Sequence, residues 1–125
     1  MATVVTTVGK TWIRDKLLES VSTAAKWLGW GTGGGTAAAG DTDLFTPATE
    51  ARTVGVESSQ STDTYRVVGT LTADGTKTIT NAGTFNAVGS GSPPSGGGLV
   101  VHGDHTGIAL LAGDSIQYTI DIQVT

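Results

Sequence analysis

The chain has 125 residues, enough for one domain, with a formal net charge of −4, 14% charged residues, 19 Gly and no Cys. The scarcity of Lys and Arg argues against nucleic-acid binding, and the lack of cysteine excludes disulfides and thiolate zinc sites. No apolar run is long enough to span a membrane and no secretory signal pattern opens the chain, so we expect a soluble protein made in the cytoplasm.

The N-terminal residues 1–23 are predicted to form a segment of their own with one short amphipathic helix. Over residues 11–21, Trp12, Ile13, Leu17 and Val21 recur at helical spacing, with charged residues on the opposite side. One interpretation is a helix that lies across one end of a sheet in its own domain. The other is an arm that docks on a neighbouring subunit. These four apolar side chains are therefore candidate partner contacts.

Two tryptophans follow in a β-prone stretch, residues 24–32. The odd separation of Trp27 and Trp30 places their rings on opposite faces of a strand. One ring can then enter the core while the other meets solvent or a partner, so both are candidate partner contacts. The glycine-rich residues 31–35 do not predict a phosphate site, because neither a helix nor a P-loop lysine follows them.

Residues 63–85 predict two strands and their turn. Tyr65, Val67 and Leu71 alternate with residues of the opposite face, which is the period of a strand. Asp74 and Gly75 then supply the residues typical of a tight hairpin turn. We therefore expect the two strands to pair antiparallel, as a hairpin whose apolar face is covered by the rest of the chain.

The C-terminal third contains a loop signal and several strand signals. The Gly-, Ser- and Pro-rich residues 89–98 predict an exposed and poorly packed tip. Residues 99–101 and 108–111 predict two short apolar strands. The last strand has the clearest alternation, with Ile116, Tyr118, Ile120, Ile122 and Val124 on one face.

Seven or eight short strands separated by Gly-rich turns indicate a mainly β fold. The predicted architecture is an antiparallel β-sandwich over residues 24–125, jelly-roll-like, with one short N-terminal amphipathic helix.

Residues with catalytic or metal-binding chemistry are few. His102, Asp104 and His105 form the cluster that could ligate a metal, but on a strand the two histidines would face opposite ways. A polar loop is the favoured interpretation. No Gly-x-Ser-x-Gly elbow frames a nucleophile, and the paired carboxylates fall in predicted turns. No catalytic residue, metal ligand or cofactor is therefore predicted, and no enzyme is expected.

Five short blocks of the sequence stand out, at residues 26–33 (KWLGWGTG), 38–44 (AAGDTDL), 63–70 (DTYRVVGT), 78–87 (TITNAGTFNA) and 112–117 (AGDSIQ). In these blocks the chain resembles small structural proteins of tailed-bacteriophage virions. The resemblance implies a building block of the virion, located on the particle.

Within that class, a small acidic sandwich without a catalytic cluster is typical of a capsid decoration, or cement, protein that binds between major capsid protein subunits. One alternative is a tail or baseplate adaptor or a fibre-associated protein. Another is a host-glycan-binding module that uses Trp27 or Trp30 as an aromatic platform. We expect no nucleic-acid or membrane partner.

The aromatic residues also suggest self-association. Trp12, Trp27, Trp30 and Phe45 add more aromatic surface than one sandwich core readily takes in, which predicts a homo-oligomer and, as the first expectation, a trimer. The N-terminal segment is expected to make the contact with the capsid or with a neighbouring copy.

Overall fold

The computed structural model describes residues 1–19 and 23–124. The elements are β1 (Thr3–Val5), α1 (Thr7–Leu17), β2 (Trp27–Gly31), β3 (Thr53–Val54), β4 (Val56–Ser59), β5 (Thr64–Thr72), β6 (Lys77–Phe85), β7 (Leu99–Leu110) and β8 (Ser115–Gln123). The helix of the described residues has neither the length nor the apolarity to cross a membrane. The expected mainly β fold with one short N-terminal helix is confirmed.

The strands form two antiparallel sheets that face each other. One has five strands in the order β1-β7-β6-β2-β3, and the other has three in the order β4-β5-β8. Only Gly55 separates β3 from β4, so the chain passes from one sheet to the other within a single extended stretch. The Gly55 N–H donates to the Lys26 carbonyl at 2.7 Å, which ties this crossing to the larger sheet. The predicted sandwich is confirmed.

The core between the sheets is built from alternating residues of facing strands. Leu28 and Trp30 of β2 pack against Val67 and Leu71 of β5 and Ile79 of β6. Trp30 is only 1% exposed. Trp27 belongs to a separate cluster, so the prediction that the two rings lie on opposite faces of a strand is confirmed.

The predicted hairpin over residues 63–85 is wrong. β5 pairs with β4 and β8, whereas β6 pairs with β2 and β7 in the other sheet. The turn between them crosses the sandwich, and Ala73 is held by backbone hydrogen bonds to Asp114 and Gly113, both of 2.8 Å. The alternation of apolar and polar residues shows which side chains of a strand face the core. The pattern is the same whether two strands are neighbours in one sheet or lie in opposite sheets of a sandwich.

The polar loop expected at residues 102–105 is also wrong. β7 is one continuous strand of 12 residues, and it joins the two short apolar strands that were predicted separately. The alternation predicted for β8 is confirmed, but its inward residues Ile116, Tyr118 and Ile120 are only half-buried. They remain partly exposed because β8 is the last strand of the smaller sheet.

The glycine-rich tip is better packed than predicted. Pro94 is buried, and Arg52 donates from one terminal nitrogen to the carbonyls of Ala87 and Gly96, at 3.1 and 2.7 Å. Local sequence patterns do not indicate this anchor, because Arg52 lies more than thirty residues before the tip.

Helix α1 starts and ends earlier than predicted. Thr6 caps it by accepting from the Gly9 N–H at 2.9 Å, and the buried Thr6 hydroxyl donates to the Leu99 carbonyl. β1 is hydrogen-bonded to β7 just before, so residues 3–6 are tied to the larger sheet.

The predicted apolar stripe of α1 is only partly covered. Trp12 packs against the buried cluster that contains Val100 and Val101, whereas Leu17 is 82% exposed. Ile13 is half-buried, and Val21 lies outside the described residues.

The contact between α1 and β7 predicts an unusual response to mutation. Alanine normally stabilises a helix relative to glycine by about 1 kcal/mol. At Gly9, however, a Cβ would lie 2.3 Å from the Val100 carbonyl oxygen, so Gly9→Ala should lower the free energy of unfolding by about 1–3 kcal/mol. Lys10→Ala, at an exposed neighbour, should change it by less than about 0.5 kcal/mol. Denaturant titration measures both, and a stabilising Gly9→Ala would contradict the packing described here.

Candidate functional site

Residues 32–52 form a long loop, termed the outer-face loop. Its middle part, with Asp41, Leu44 and Phe45, lies on the face of the larger sheet that is turned away from the core, whereas Ala48 packs with Trp30 in the main core. Glycines make this contact possible. A Cβ on Gly31 would lie 2.4 Å from the Phe45 carbonyl oxygen, and one on Gly83 would meet the Leu44 side chain at 3.3 Å. The backbone of the loop therefore rests almost directly on the backbone of the sheet.

A second small core lies beneath this loop. Leu44, Phe85 and Leu99 are buried together, and Trp27 packs against them. The Arg52 guanidinium lies 3.5 Å from the centre of the Phe85 ring, in a cation–π contact. Trp27 is thus largely covered within its own domain, and it does not form an exposed aromatic platform.

A buried polar cluster fixes the rest of the loop. His102 is completely buried on β7, with Nδ1 2.7 Å from Asp41 Oδ2 and Nε2 3.0 Å from Asn81 Oδ1. Phe45 sets the orientation of the Asn81 amide, since its N–H donates to Oδ1 and its carbonyl accepts from Nδ2, each at 3.0 Å. The Phe45 ring also lies edge-on to His102, with a centroid distance of 4.6 Å. Asp41, Asn81 and His102, termed the polar clamp, hold the loop to the sheet.

Two carboxylates of this region have a lowered pKa. The Ala38 N–H, at 2.8 Å, holds the pKa of Asp41 below its usual range, and the contact with His102 adds to this effect. The Ala37 N–H, at 2.7 Å, does the same to the pKa of Asp104, together with the Ala2 N–H. Both carboxylates thus serve as acceptors for loop and N-terminal backbone.

The three residues weighed as metal ligands do not converge. His105 Nε2 lies 2.9 Å from the Tyr118 hydroxyl, and its Nδ1 lies 2.9 Å from the Thr106 carbonyl oxygen, whereas His102 is committed to the polar clamp. Within residues 1–19 and 23–124, no three His, Asp or Glu side chains come together as a metal-holding group.

A large open groove lies elsewhere, where α1 meets one end of the smaller sheet. This groove has a volume of about 700 Å³, and Trp12, Ile13, Ile122 and Val124 provide its apolar lining. It contains two of the predicted partner contacts. Trp27, Trp30 and the exposed Leu17 are not part of it.

The rim of the groove is acidic and rich in hydroxyls. Glu57 accepts a hydrogen bond from the Tyr65 hydroxyl at 2.7 Å. The pKa of Tyr65 is raised mainly because the side chain is buried, and also because of this hydrogen bond. Hydrogen bonds from Ser61, Gln123 and Thr64 lower the pKa of Asp63. None of the described lining residues is Lys or Arg. The geometry suits a partner surface that combines apolar and basic side chains.

The sequence analysis identified only the part of this groove that α1 contributes, namely Trp12 and Ile13. The alternation of β8 predicts that Ile122 faces inward, but it does not show that the sandwich is open at that end. The open end follows from the pairing of β4, β5 and β8 with one another, which brings together residues far apart in the chain.

Comparison of the chain with protein-family models, curated proteins and solved structures gave no match.

The polar clamp predicts a large effect at one buried residue. Asn81→Ala would leave the Phe45 N–H and one His102 nitrogen without their partner, although the Phe45 carbonyl would keep the Gly33 N–H. The free energy of unfolding should therefore fall by about 3–5 kcal/mol. Thr78→Ala, at an exposed position of the same strand, should cost less than about 1 kcal/mol. Equal losses in urea unfolding would show that the clamp does not stabilise the loop.

The lowered pKa of Asp104 predicts that the stability of the fold decreases at acid pH. The folded-state pKa lies below the ordinary 3.8, so the stabilisation is present above that value and is lost as the pH falls through the folded-state pKa. Melting temperatures from about pH 5 to about pH 3 should therefore fall less steeply for Asp104→Asn than for the wild type. Parallel curves for the two proteins would contradict this assignment.

Proposed function

We propose that the protein is a structural component of a tailed-bacteriophage virion, and that it decorates and stabilises the head shell. The observation that carries the proposal is that the buried polar residues and the residues that line the groove lie in different parts of the molecule. The buried polar residues hold the outer-face loop, whereas the groove has an apolar floor and none of its described lining residues is His, Lys or Arg. Such a molecule is suited to binding rather than to chemistry.

The sequence blocks that resemble virion proteins support this division. Residues 26–33, 38–44 and 78–87 meet on the outer face of the larger sheet, where they form β2, β6 and the loop that covers them. Most of the groove lining lies outside the five blocks, including Trp12, Ile13 and Ile122. We infer that the blocks form a common scaffold, and that the groove residues, which lie mostly outside the blocks, are specific to the partner of this protein.

Electrostatics indicates the chemistry of that partner. Glu57 and Asp63 lie at the rim, so we expect the contacted capsid surface to present apolar side chains flanked by Lys or Arg. One contact of this size is modest in strength. Many copies on one shell, each bridging neighbouring subunits, would still stabilise it by multivalency.

Two earlier expectations change. The glycan-binding alternative relied on Trp27 or Trp30 as an exposed platform, but Trp30 is buried and Trp27 is half-buried against Leu44, Phe85 and Leu99. The aromatic argument for a homotrimer also weakens, since Trp30, Trp27 and Phe45 pack within their own domain. Self-association remains a prediction, which sedimentation of the purified protein tests.

The groove provides a direct mutational test. Ile13→Asp places a charge on its apolar floor and should weaken binding to particles that lack the protein by at least about tenfold, since burying an unpaired charge costs more than 1.4 kcal/mol. Ile108→Asp, at a partly exposed apolar residue outside the groove, is the matched control and should bind normally. Equal binding by both variants would remove the groove from the proposal.

Location on the particle separates the virion roles. Purified protein added to particles that lack it should appear by electron microscopy at the symmetry axes of the head shell, in many copies. Density only at the tail would replace the decoration role with that of an adaptor. Failure to bind either part would overturn the virion proposal.

A further inference from the structure

The outer edge of β8 is an unpaired strand edge. β8 pairs with β5 alone, along its full length of nine residues. The Val124 N–H donates to the Asp63 carbonyl, and the Ala73 N–H donates to the Asp114 carbonyl. Even-numbered residues of β8 therefore point their backbone groups toward β5.

The odd-numbered residues of β8 point the other way, because hydrogen-bonding direction alternates along an antiparallel strand. The N–H and carbonyl groups of Gln117, Thr119 and Asp121 are consequently directed to the free edge. No other strand of residues 1–19 and 23–124 pairs with them.

This edge lacks the features that normally prevent a strand from pairing further. Natural edge strands are commonly short, bulged, interrupted by Pro or protected by Lys. β8 is regular over its nine residues and contains none of Pro, Gly or Lys. Its one charged residue, Asp121, is already bound by both Nε and a terminal nitrogen of Arg66, at 2.7 and 2.9 Å.

A narrow trough runs beside the same edge. It has a volume of about 210 Å³ and lies between β8 on one side and β7 with β1 on the other. Thr119 and Ile120 line it from β8, while Val101 and Thr3 line it from the larger sheet. The five-stranded sheet thus extends past the edge of the three-stranded sheet. Its inner face is exposed there at Thr3 and partly exposed at Gly103, whereas Val101 is already buried.

The shape of the trough determines what can fill it. A second copy that paired β8 with β8 would bring its own larger sheet against the overhanging β1. A single extended chain needs only the 4.7–4.9 Å of one strand spacing and would cover the exposed inner face. Met1, Val101 and Ile120 line the trough, so inward apolar side chains in that chain are favoured. Asp104 and Asp121 at the rim, by contrast, are already bound.

We propose that the outer edge of β8 pairs with an extended segment of the virion subunit to which the protein binds. That segment adds a fourth strand to the β4-β5-β8 sheet, and its inward side chains enter the trough. Only the identity of the subunit rests on the proposed function, since the free edge and the trough are properties of this chain.

Backbone substitution at the edge tests the proposal. Thr119→Pro removes one outward N–H while leaving the β5–β8 hydrogen bonds in place, so the isolated protein should keep its melting temperature. Its binding to particles should fall by at least about tenfold. Thr119→Ala keeps the N–H and is the matched control, which should bind as the wild type does. Equal binding by the two variants would overturn the proposal.

Hydrogen exchange provides a second measurement that does not require a variant to fold. On particle-bound wild-type protein, the amides of Gln117, Thr119 and Asp121 should exchange at least about tenfold more slowly than in the free protein. Particle binding without this protection would overturn the edge pairing and leave the decoration role intact.

If the wild type binds no particle, the decoration role fails and a peptide decides the edge proposal. A synthetic peptide with the sequence of β5 (TYRVVGTLT) is a strand already matched to the alternation of β8. Protection of the same three amides by this peptide would support the edge as a strand-binding site. If the three amides are not protected even at the highest soluble peptide concentration, the edge proposal is overturned.

Discussion

The close contact between the outer-face loop and the larger sheet is the constraint on which the rest of the structure depends. A sheet with one face in the sandwich core has a second face that must meet water or be covered. Here that face carries Phe85 and Leu99 and the polar side chains of Asn81 and His102. Glycines at 29, 31 and 83 bring the loop close enough to bury all four. The domain consequently has two cores with β2, β6 and β7 between them.

This arrangement explains why several titratable side chains are bound within the scaffold. His102 and Asp41 hold the loop, Asp104 fixes its first part and the N-terminal strand, and Arg52 pins the glycine-rich tip. Lys77 connects Glu50 at the end of the loop to Asp74 in the turn between the sheets. With these groups committed to the scaffold, the groove beside α1 and the edge of β8 are the surfaces that we propose for a partner.

The fold class and several local features could be predicted from the sequence. Alternation identified β5 and β8, and the spacing of Trp27 and Trp30 placed their rings on opposite faces, because both signals depend only on the geometry of one strand. The partner of each strand could not be predicted in this way. β5 and β6 have the inward residues that a hairpin would have, yet they belong to different sheets.

The buried clamp and the groove were missed for a related reason. His102 stands in a polar run that is typical of a loop, and it becomes buried only because Asp41, 61 positions earlier in the chain, folds over it. Residue patterns also placed Leu17 in the apolar stripe, whereas the helix ends there and the side chain is exposed. Both errors concern contacts between distant parts of the chain, which local periodicity does not encode.

Native-state hydrogen exchange of the loop amides tests most directly whether the outer-face loop is part of the folded core. The Ala37, Phe45 and Ala48 N–H groups donate to Asp104, Asn81 and the Trp30 carbonyl, respectively. They should therefore exchange as slowly as Ala82 in β6, through unfolding of the whole domain. Exchange as fast as that of exposed turn residues such as Thr62 would show that the loop opens independently and would contradict this account.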